Sequence, residues 1–242
     1  LSGMLRIMFG TSVSDSHCGM RSFTREAFKK MDLKTPGMEF ASEMVVKALY
    51  HKLKIAEVPI TYHPRKGDSK LRGLKDAWRH LRFMLMFSPN YLFLLPGSIL
   101  FVTGFTSMLI LIRGPVLLFN HGFDLHVFTL ASLFTILGFQ IIISGFYAKI
   151  FAFTQKINSH SRLLKLLLKY FNLERGILIG CLLVLIGTII NVSILIFWVN
   201  QGFGALEALR PEIFASTIII IGFQLIFSSF LFSIMGIMSH ND

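Results

Sequence analysis

Apolar and polar residues are distributed unevenly along this chain. The first 90 residues hold 16 of the 24 Lys and Arg and 8 of the 13 acidic residues, whereas four long, almost uninterrupted apolar segments follow at residues 91–112, 125–153, 176–199 and 213–238. A helix of about 20 apolar residues crosses the hydrocarbon core of a bilayer. The pattern therefore predicts a head followed by four transmembrane helices, arranged as one hairpin over residues 91–153 and a second over residues 176–238.

The two predicted hairpins contain an internal repeat. The segment PGSILFVTG (96–104) matches IGCLLVLIG (179–187), and GFQIIISGF (138–146) matches GFQLIFSSF (222–230). The hairpins are therefore predicted to be duplicated units of the same topology, related by an axis along the membrane normal.

Gln140 and Gln224 occupy equivalent positions of this repeat, near the middle of their spans. A polar side chain at that depth needs a partner. One interpretation is hydrogen bonding between helices, helped by the small side chains of Ser144, Ala148 and Ala152. The alternative is a path for a carrier lipid or a solute.

A basic amphipathic helix is predicted just before the first span, over residues 69–90. Its apolar positions are spaced three, four, three and four residues apart, at Leu71, Leu74, Trp78, Leu81 and Leu85. Most of its cations, including Arg79 and Arg82, lie off that stripe. Such a helix lies in the lipid interface and reaches anionic headgroups, although cations beside a first span can also be only a topology signal.

The turn that precedes this helix has the parts of an anion site. Gly67 and Ser69 supply a flexible backbone and a hydroxyl, and Arg65, Lys66 and Lys70 supply positive charge. The sequence thus places phosphate-binding groups next to a membrane-docking helix.

The charge of the chain follows its predicted topology. The net charge is +11, and the link over residues 154–175 carries five Lys or Arg, whereas the links 113–124 and 200–212 carry one each. The positive-inside rule therefore predicts that the head, the middle link and the C-terminus are cytoplasmic. A basic chain can bind nucleic acid, but the clustering of these charges at the ends of spans favours a membrane protein without a nucleic-acid partner.

The head reads as part of an α/β domain. Residues 1–9 fit a helix or a strand, Thr24 is a predicted N-cap, residues 39–53 predict a helix, and residues 54–62 (KIAEVPITY) predict an edge strand. A single strand cannot form a stable sheet. We therefore expect further strands upstream, in a longer protein. Cys18 and Cys181 form no metal-binding spacing.

Three motifs of the head resemble a known family when taken in order. They are D-S-H-C-G-M-R-S-F-T-R (15–25), E-x-x-x-E (39–43) and E-V-P-I-x-Y-x-x-R-x-G-x-S-K-L (57–71). This set resembles the acceptor half of family 2 glycosyltransferases, in particular the polyprenyl-phosphate sugar synthases of the dolichol-phosphate mannose synthase type. The resemblance covers residues 1 to about 90, and a pair of membrane hairpins also occurs in that family.

The resemblance implies a fold and a reaction. Residues 1–68 would be the C-terminal remnant of a cytoplasmic GT-A domain, an α/β nucleotide-sugar transferase domain. A hexosyltransferase of this family transfers a sugar from a nucleotide sugar to a membrane polyprenyl phosphate. Its divalent metal, Mg²⁺ or Mn²⁺, is held by an Asp-x-Asp motif that we expect upstream, with no metal ligand in this chain. The chain alone is therefore expected to be inactive.

The resemblance also assigns roles to residues. Arg21 and Arg25 would hold the acceptor phosphate, and Arg65, Ser69 and Lys70 would close over the phosphates from the membrane side, because arginine binds phosphate through paired hydrogen bonds. Asp15 would orient an arginine or its loop. Each cation could equally belong to a structural ion pair. A non-enzymatic function, as a scaffold or as a partner of a lipid-carrier flippase, is the alternative for the whole chain.

Overall fold

The computed structural model describes residues 2–10, 13–15, 18–33, 40–61, 78, 81–82, 84–85, 87–118, 121–154, 173–203 and 208–238. The chain forms two compact units, Leu1–Leu92 and Phe93–Asp242. We call them the head and the membrane unit, and we describe each by itself.

The head contains three short helices: α1 (Ser2–Phe9), α2 (Arg25–Met31) and α3 (Phe40–Tyr50). The first of them settles the choice that the sequence left open for residues 1–9. The predicted cap of α2 is confirmed, since the Thr24 side chain accepts a hydrogen bond from the Ala27 backbone N–H at 3.2 Å. Glu26 in the first turn and Lys29 and Lys30 in the last complement the helix dipole.

Helix α3 is buried on all sides in its middle, from Ser42 to Ala48. Two charged residues are included, because Glu43 and Lys47 form an ion pair one turn apart, with 3.0 Å between Lys47 Nζ and Glu43 Oε1. The Lys47 ammonium also donates to the backbone carbonyl of Asp32. A charge can be buried when it is paired and hydrogen-bonded, so this helix has no solvent-facing polar side there.

The predicted strand over residues 54–62 is wrong for the part that the structure describes, residues 54–61, which form neither strand nor helix. A strand requires a neighbour for its backbone hydrogen bonds, and no strand is described elsewhere in the head. The side chains of residues 54–61 are all exposed, with Val58 79% accessible. The described head is therefore helical, and its α/β character stays a prediction.

Most of the described residues of the predicted interfacial helix are α-helical, but Ser88 is not helical and Asn90 begins a π-helical turn. The α-helical ones are Trp78, Leu81, Arg82, Met84, Leu85, Phe87 and Pro89. Met84 is completely buried in a cluster with Leu5 of α1 and Val46 of α3. The Tyr50 hydroxyl donates a 2.9 Å hydrogen bond to the Phe87 carbonyl, and its burial raises the pKa of Tyr50 to about 12. These contacts hold the helical segment around residues 78–87 against α1 and α3 of the head.

The membrane unit contains the long apolar helices that the sequence predicts. After a π-helical turn (Asn90–Leu94) come α4 (Leu95–Leu111), α5 (Leu125–Thr154), α6 (Leu173–Asn200) and α7 (Leu209–Met238). A small antiparallel sheet, not predicted, links α4 to α5 and pairs β1 (Val116–Leu118) with β2 (His121–Phe123). The most apolar windows of the four spans are only 11% to 33% buried, so most of their apolar surface is left for lipid.

The duplication is visible in the packing of each hairpin. In the first hairpin, a Cβ atom added to Gly97 would lie 3.1 Å from the carbonyl oxygen of Gly138. In the second, a Cβ atom added to Gly180 would lie 2.8 Å from the carbonyl oxygen of Gly222. Glycines that let two backbones approach closely are a characteristic of membrane helix pairs.

The next glycine contact is repeated as well. A Cβ atom on Gly104 would lie 2.6 Å from the Ala131 carbonyl oxygen, and one on Gly187 would lie 2.7 Å from the Ala215 carbonyl oxygen. Both hairpins thus use two glycines seven residues apart, which keeps the contacts on one side of the helix. The repeat read from the sequence is therefore a repeat of structure.

The two hairpins meet along α5 and α7. Asp124 forms an ion pair with Arg210, the hydroxyls of Ser132 and Thr217 are hydrogen-bonded at 2.7 Å, and the ring of Tyr147 lies 4.7 Å from that of Phe232. The partner lies 85 or 86 residues later in each pair, so the two helices run in the same direction and in a constant register. We call this line of contacts the α5–α7 seam; it fits the predicted axis along the membrane normal.

Candidate functional site

Two of the sequence motifs meet in the head. The Glu57 carboxylate accepts hydrogen bonds from the Ser14 backbone N–H at 2.9 Å, the Ser14 hydroxyl at 3.0 Å and the Asp15 backbone N–H at 3.4 Å. The Ser14 backbone N–H is the main cause that lowers the pKa of Glu57, because these hydrogen bonds favour the charged form. Glu57 therefore positions the loop that carries Asp15, a role that the motif did not suggest.

Arg21 is directed towards backbone carbonyls. Its Nε donates to the Cys18 carbonyl at 2.9 Å, and one terminal nitrogen donates to the Ala41 carbonyl at 2.7 Å. Partial burial lowers the pKa of Arg21, while Cys18 and Asp15 act in the opposite direction. These bonds tie the motif loop to the start of α3, so Arg21 has a structural role in addition to any contact with phosphate.

The other predicted phosphate ligands divide into two groups. Arg25 is the first residue of α2, and its side chain is exposed. Arg65, Ser69 and Lys70 lie outside the described residues, as do the predicted interface residues Leu74 and Arg79. Their proposed assembly with Arg21 into one cationic site thus stays a prediction.

The described interface residues of the helical segment lie on a different face of the helix from the buried residue Met84. Trp78 is 61% exposed, Arg82 is exposed and Leu81 is half-buried, whereas Met84 is buried in the head. Residues 78, 81 and 85 share one side of a helix, and 84 and 87 share another. The helical segment therefore has one apolar side for the head and a second one, around Trp78, that the described head does not cover.

The described residues do not fit a metal site. No group of three or more His, Cys, Asp or Glu is close enough to hold an ion in that part of the chain. We therefore assign no metal-dependent step to these residues.

The two intramembrane glutamines differ in their surroundings. Gln140 is exposed on the membrane unit, whereas Gln224 is half-buried and its Oε1 has no hydrogen-bond partner among the described residues. The hydrogen bond between Ser132 and Thr217, not one from a glutamine, joins the two hairpins near the start of α5 and α7. Ser144, one of the small residues predicted to help the glutamines, donates to the Gln140 backbone carbonyl in its own helix at 2.9 Å.

Lys149, a charged residue of the membrane unit, belongs to none of the sequence motifs. Lys149 is the one Lys, Arg, Asp or Glu within the four predicted spans. Only 8% of the surface of this residue is accessible, and its Nζ has no hydrogen-bond partner in the described part of the chain. A single charge in an apolar segment is a signal that the sequence alone offers.

Comparison with known proteins adds to this geometry. Residues 146–236 match the family model described as the glycosyltransferase family 2 C-terminal transmembrane region. The match covers most of the second half of the membrane unit. Together with the four apolar helices, it identifies an integral membrane protein with a glycosyltransferase-family membrane region.

The chain is also similar to curated archaeal proteins. It is 36% identical over 236 residues to the low-salt glycan biosynthesis hexosyltransferase Agl6 of Haloferax volcanii. The aligned region covers 98% of this chain and 57% of that relative. Shorter similarities, of 40% over 80 residues and 31% over 77 residues, are to an uncharacterized protein of Methanocaldococcus jannaschii and to the glycosyltransferase AglD of Haloferax volcanii. They cover 30% and 31% of this chain, and 33% and 12% of the relatives.

The chain thus spans little more than half the length of Agl6. None of the solved structures matches it. These similarities support a protein of the glycosyltransferase type.

Proposed function

We propose that this chain is the acceptor-binding and membrane-anchoring part of a family 2 glycosyltransferase. The whole protein would transfer a hexose from a nucleotide sugar to a polyprenyl phosphate at the cytoplasmic membrane face, as enzymes of the dolichol-phosphate mannose synthase type do. The observation that carries the proposal is the 36% identity to a protein named as a hexosyltransferase, over 98% of this chain.

The chemistry agrees with the residues of the head. A phosphate monoester is largely ionised at neutral pH, its second pKa being about 6, so a lipid phosphate can attack the sugar without a general base. It must instead be held next to a diphosphate of the same sign. Arg21, Arg25, Arg65 and Lys70 would supply the positive charge, and Ser69 a hydroxyl.

The membrane contacts would bring the acceptor to these cations. The exposed side of the helical segment around Trp78 would lie in the interface, where an aromatic ring is favourable. Arg79 and Arg82 would contact anionic headgroups. The divalent metal and the nucleotide-binding part of the GT-A domain would belong to the rest of the protein, as the resemblance to family 2 glycosyltransferases implies.

The test is sugar transfer by the whole protein in membranes, measured with nucleotide hexoses and a polyprenyl phosphate. We expect the double variant Arg65→Ala/Lys70→Ala to lose at least about a hundredfold in rate, because it removes two charge-assisted hydrogen bonds worth about 1.5–3 kcal/mol each. Arg6→Ala, at an exposed position of α1, is the matched control and should keep its rate. Unchanged transfer by the double variant would reject these phosphate ligands.

A second arm separates the enzyme from a non-catalytic scaffold. If the whole protein with native residues transfers no sugar from any nucleotide hexose to the lipid, the chain is a membrane module of another kind. The 242-residue chain by itself should show no transfer.

A further inference from the structure

Lys149 is a buried cation for which the described structure offers no counter-ion. It lies on α5, five residues before the helix ends at Thr154, which is about 7 Å at a rise of 1.5 Å per residue. A lysine near a membrane surface normally extends its ammonium into the headgroup region, but this side chain is almost fully covered.

The duplication shows that the packing does not require this lysine. The repeat that relates Gly138 to Gly222 relates Lys149 to Ser233 of α7, a small neutral residue. Both hairpins have the same glycine contacts, yet only the first has a charge at this position. The lysine therefore distinguishes the two otherwise similar hairpins.

The link that follows α5 brings no carboxylate to Lys149. Residues 155–173 contain no Asp or Glu but four Lys or Arg, so the link after α5 adds further positive charge. Glu174, at the start of α6, is exposed. Removing an unpaired ammonium from water costs several kcal/mol, so an anion from outside the described residues would stabilise the native state.

We infer that Lys149 binds the phosphate group of a membrane lipid. The position suits this ligand, because α5 ends near the depth at which headgroups lie and next to a basic link that attracts anionic lipids. The shared chemistry is a lipid phosphate, either the monoester of a polyprenyl phosphate or the diester of a bulk phospholipid. The inference does not depend on sugar transfer, since such a site would also serve a scaffold.

The test measures binding of lipid to the full chain in a neutral detergent. The probes are farnesyl phosphate, phosphatidylglycerol and farnesol, with native mass spectrometry to count bound lipids and to obtain affinities. We expect the native chain to bind a phosphate-bearing probe but not farnesol, and Lys149→Met to bind it about tenfold to a hundredfold more weakly, as for the loss of one charged hydrogen bond. Lys149→Arg should restore most of the affinity.

A matched control and a stability measurement complete the design. Lys30→Met removes an exposed lysine of α2 and should leave binding unchanged. If Lys149→Met loses affinity for farnesyl phosphate alone, the ligand is the monoester. If it loses affinity for phosphatidylglycerol alone, the ligand is the bulk lipid. Equal affinity of Lys149→Met and the native chain for both phosphates would overturn the inference.

The melting temperature without any added phosphate lipid gives an independent readout. If the ammonium has no protein partner, Lys149→Met should be at least as stable as the native chain under these conditions. A large fall in its melting temperature would show that Lys149 pairs with a protein group, and would also overturn the inference.

Discussion

Glu57 holds Ser14 through two hydrogen bonds to one carboxylate oxygen, at 2.9 Å from the backbone N–H and 3.0 Å from the hydroxyl. The two residues are 43 positions apart and belong to or adjoin different motifs of the head. This contact assigns a structural role to the first residue of the third motif, at a place where the chain forms no helix or strand. It also makes the loop that carries Asp15 dependent on the charge of Glu57.

The first prediction concerns acid. Because the folded state lowers the pKa of Glu57 below its usual 4.5, the contact stabilises the loop above that pH and loses its effect as the pH falls through the folded-state pKa. The Ser14 amide resonance, followed by NMR from neutral to acidic pH, should therefore shift with a midpoint below 4.5. Glu57→Gln should abolish this shift, whereas Glu26→Gln should leave it in place.

The second prediction concerns the buried ion pair of α3. Lys47→Met would leave the Glu43 carboxylate buried without this cation, and it should lower the free energy of unfolding of the head by about 3–5 kcal/mol. The double variant Glu43→Gln/Lys47→Met should recover much of that loss, which a double-mutant cycle would measure. Lys54→Met, at an exposed position, is the control. Equal effects of Lys47→Met and the control would contradict the role of the pair.

The third prediction tests the close approach of the hairpin helices. A Cβ atom on Gly138 would overlap the backbone of Phe101, and one on Gly222 would lie 3.0 Å from the backbone N of Val184. Gly138→Ala and Gly222→Ala should each lower the free energy of unfolding by about 1–3 kcal/mol through overpacking, although alanine by itself favours a helix.

Gly122→Ala provides the comparison, since the nearest atom to its added Cβ is 3.9 Å away. Thermal unfolding in detergent should therefore distinguish it from the two helix variants. If all three variants melt at the native temperature, the glycines are not needed for packing.

The fourth prediction concerns the end of the α5–α7 seam where both helices begin. The Asp124 side chain is 57% exposed and that of Arg210 is 24% exposed, so solvent screens their ion pair, and we expect a coupling energy of about 0.5–1 kcal/mol. The charge-reversed double variant Asp124→Arg/Arg210→Asp should regain this energy, which either single reversal loses. The coupling should decrease at high salt. Arg113→Gln, an exposed cation nearby in sequence, should have no such coupling.

Features that depend on local composition were predictable from the sequence. Each of the four predicted spans lies within a few residues of a long helix, because an apolar segment in lipid satisfies its backbone hydrogen bonds only as a helix. The N-cap of Thr24 and the repeat of the two hairpins were also predicted, because each can be recognised from short segments of the sequence. The helix of residues 39–53 was also predicted, with α3 shorter at its end.

Features that depend on distant partners were not predictable. Glu43 and Lys47 have the spacing of a surface ion pair, and their burial follows from the packing of the whole head. Residues 54–61 have the composition of a strand but no described strand to pair with. Gln140 and Gln224 are equivalent in sequence, yet the first is exposed and the second half-buried.

The glycine contacts of each hairpin lie entirely within that hairpin. The repeating unit of this membrane region is therefore a two-helix hairpin, and the α5–α7 seam is the place where the two hairpins join. A one-hairpin ancestor that associated with its own copy would already have possessed that seam. Fusion of the two copies would then have required a new connecting segment but no new internal packing, and it would have left each half free to acquire side chains of its own, as Lys149 and Ser233 illustrate.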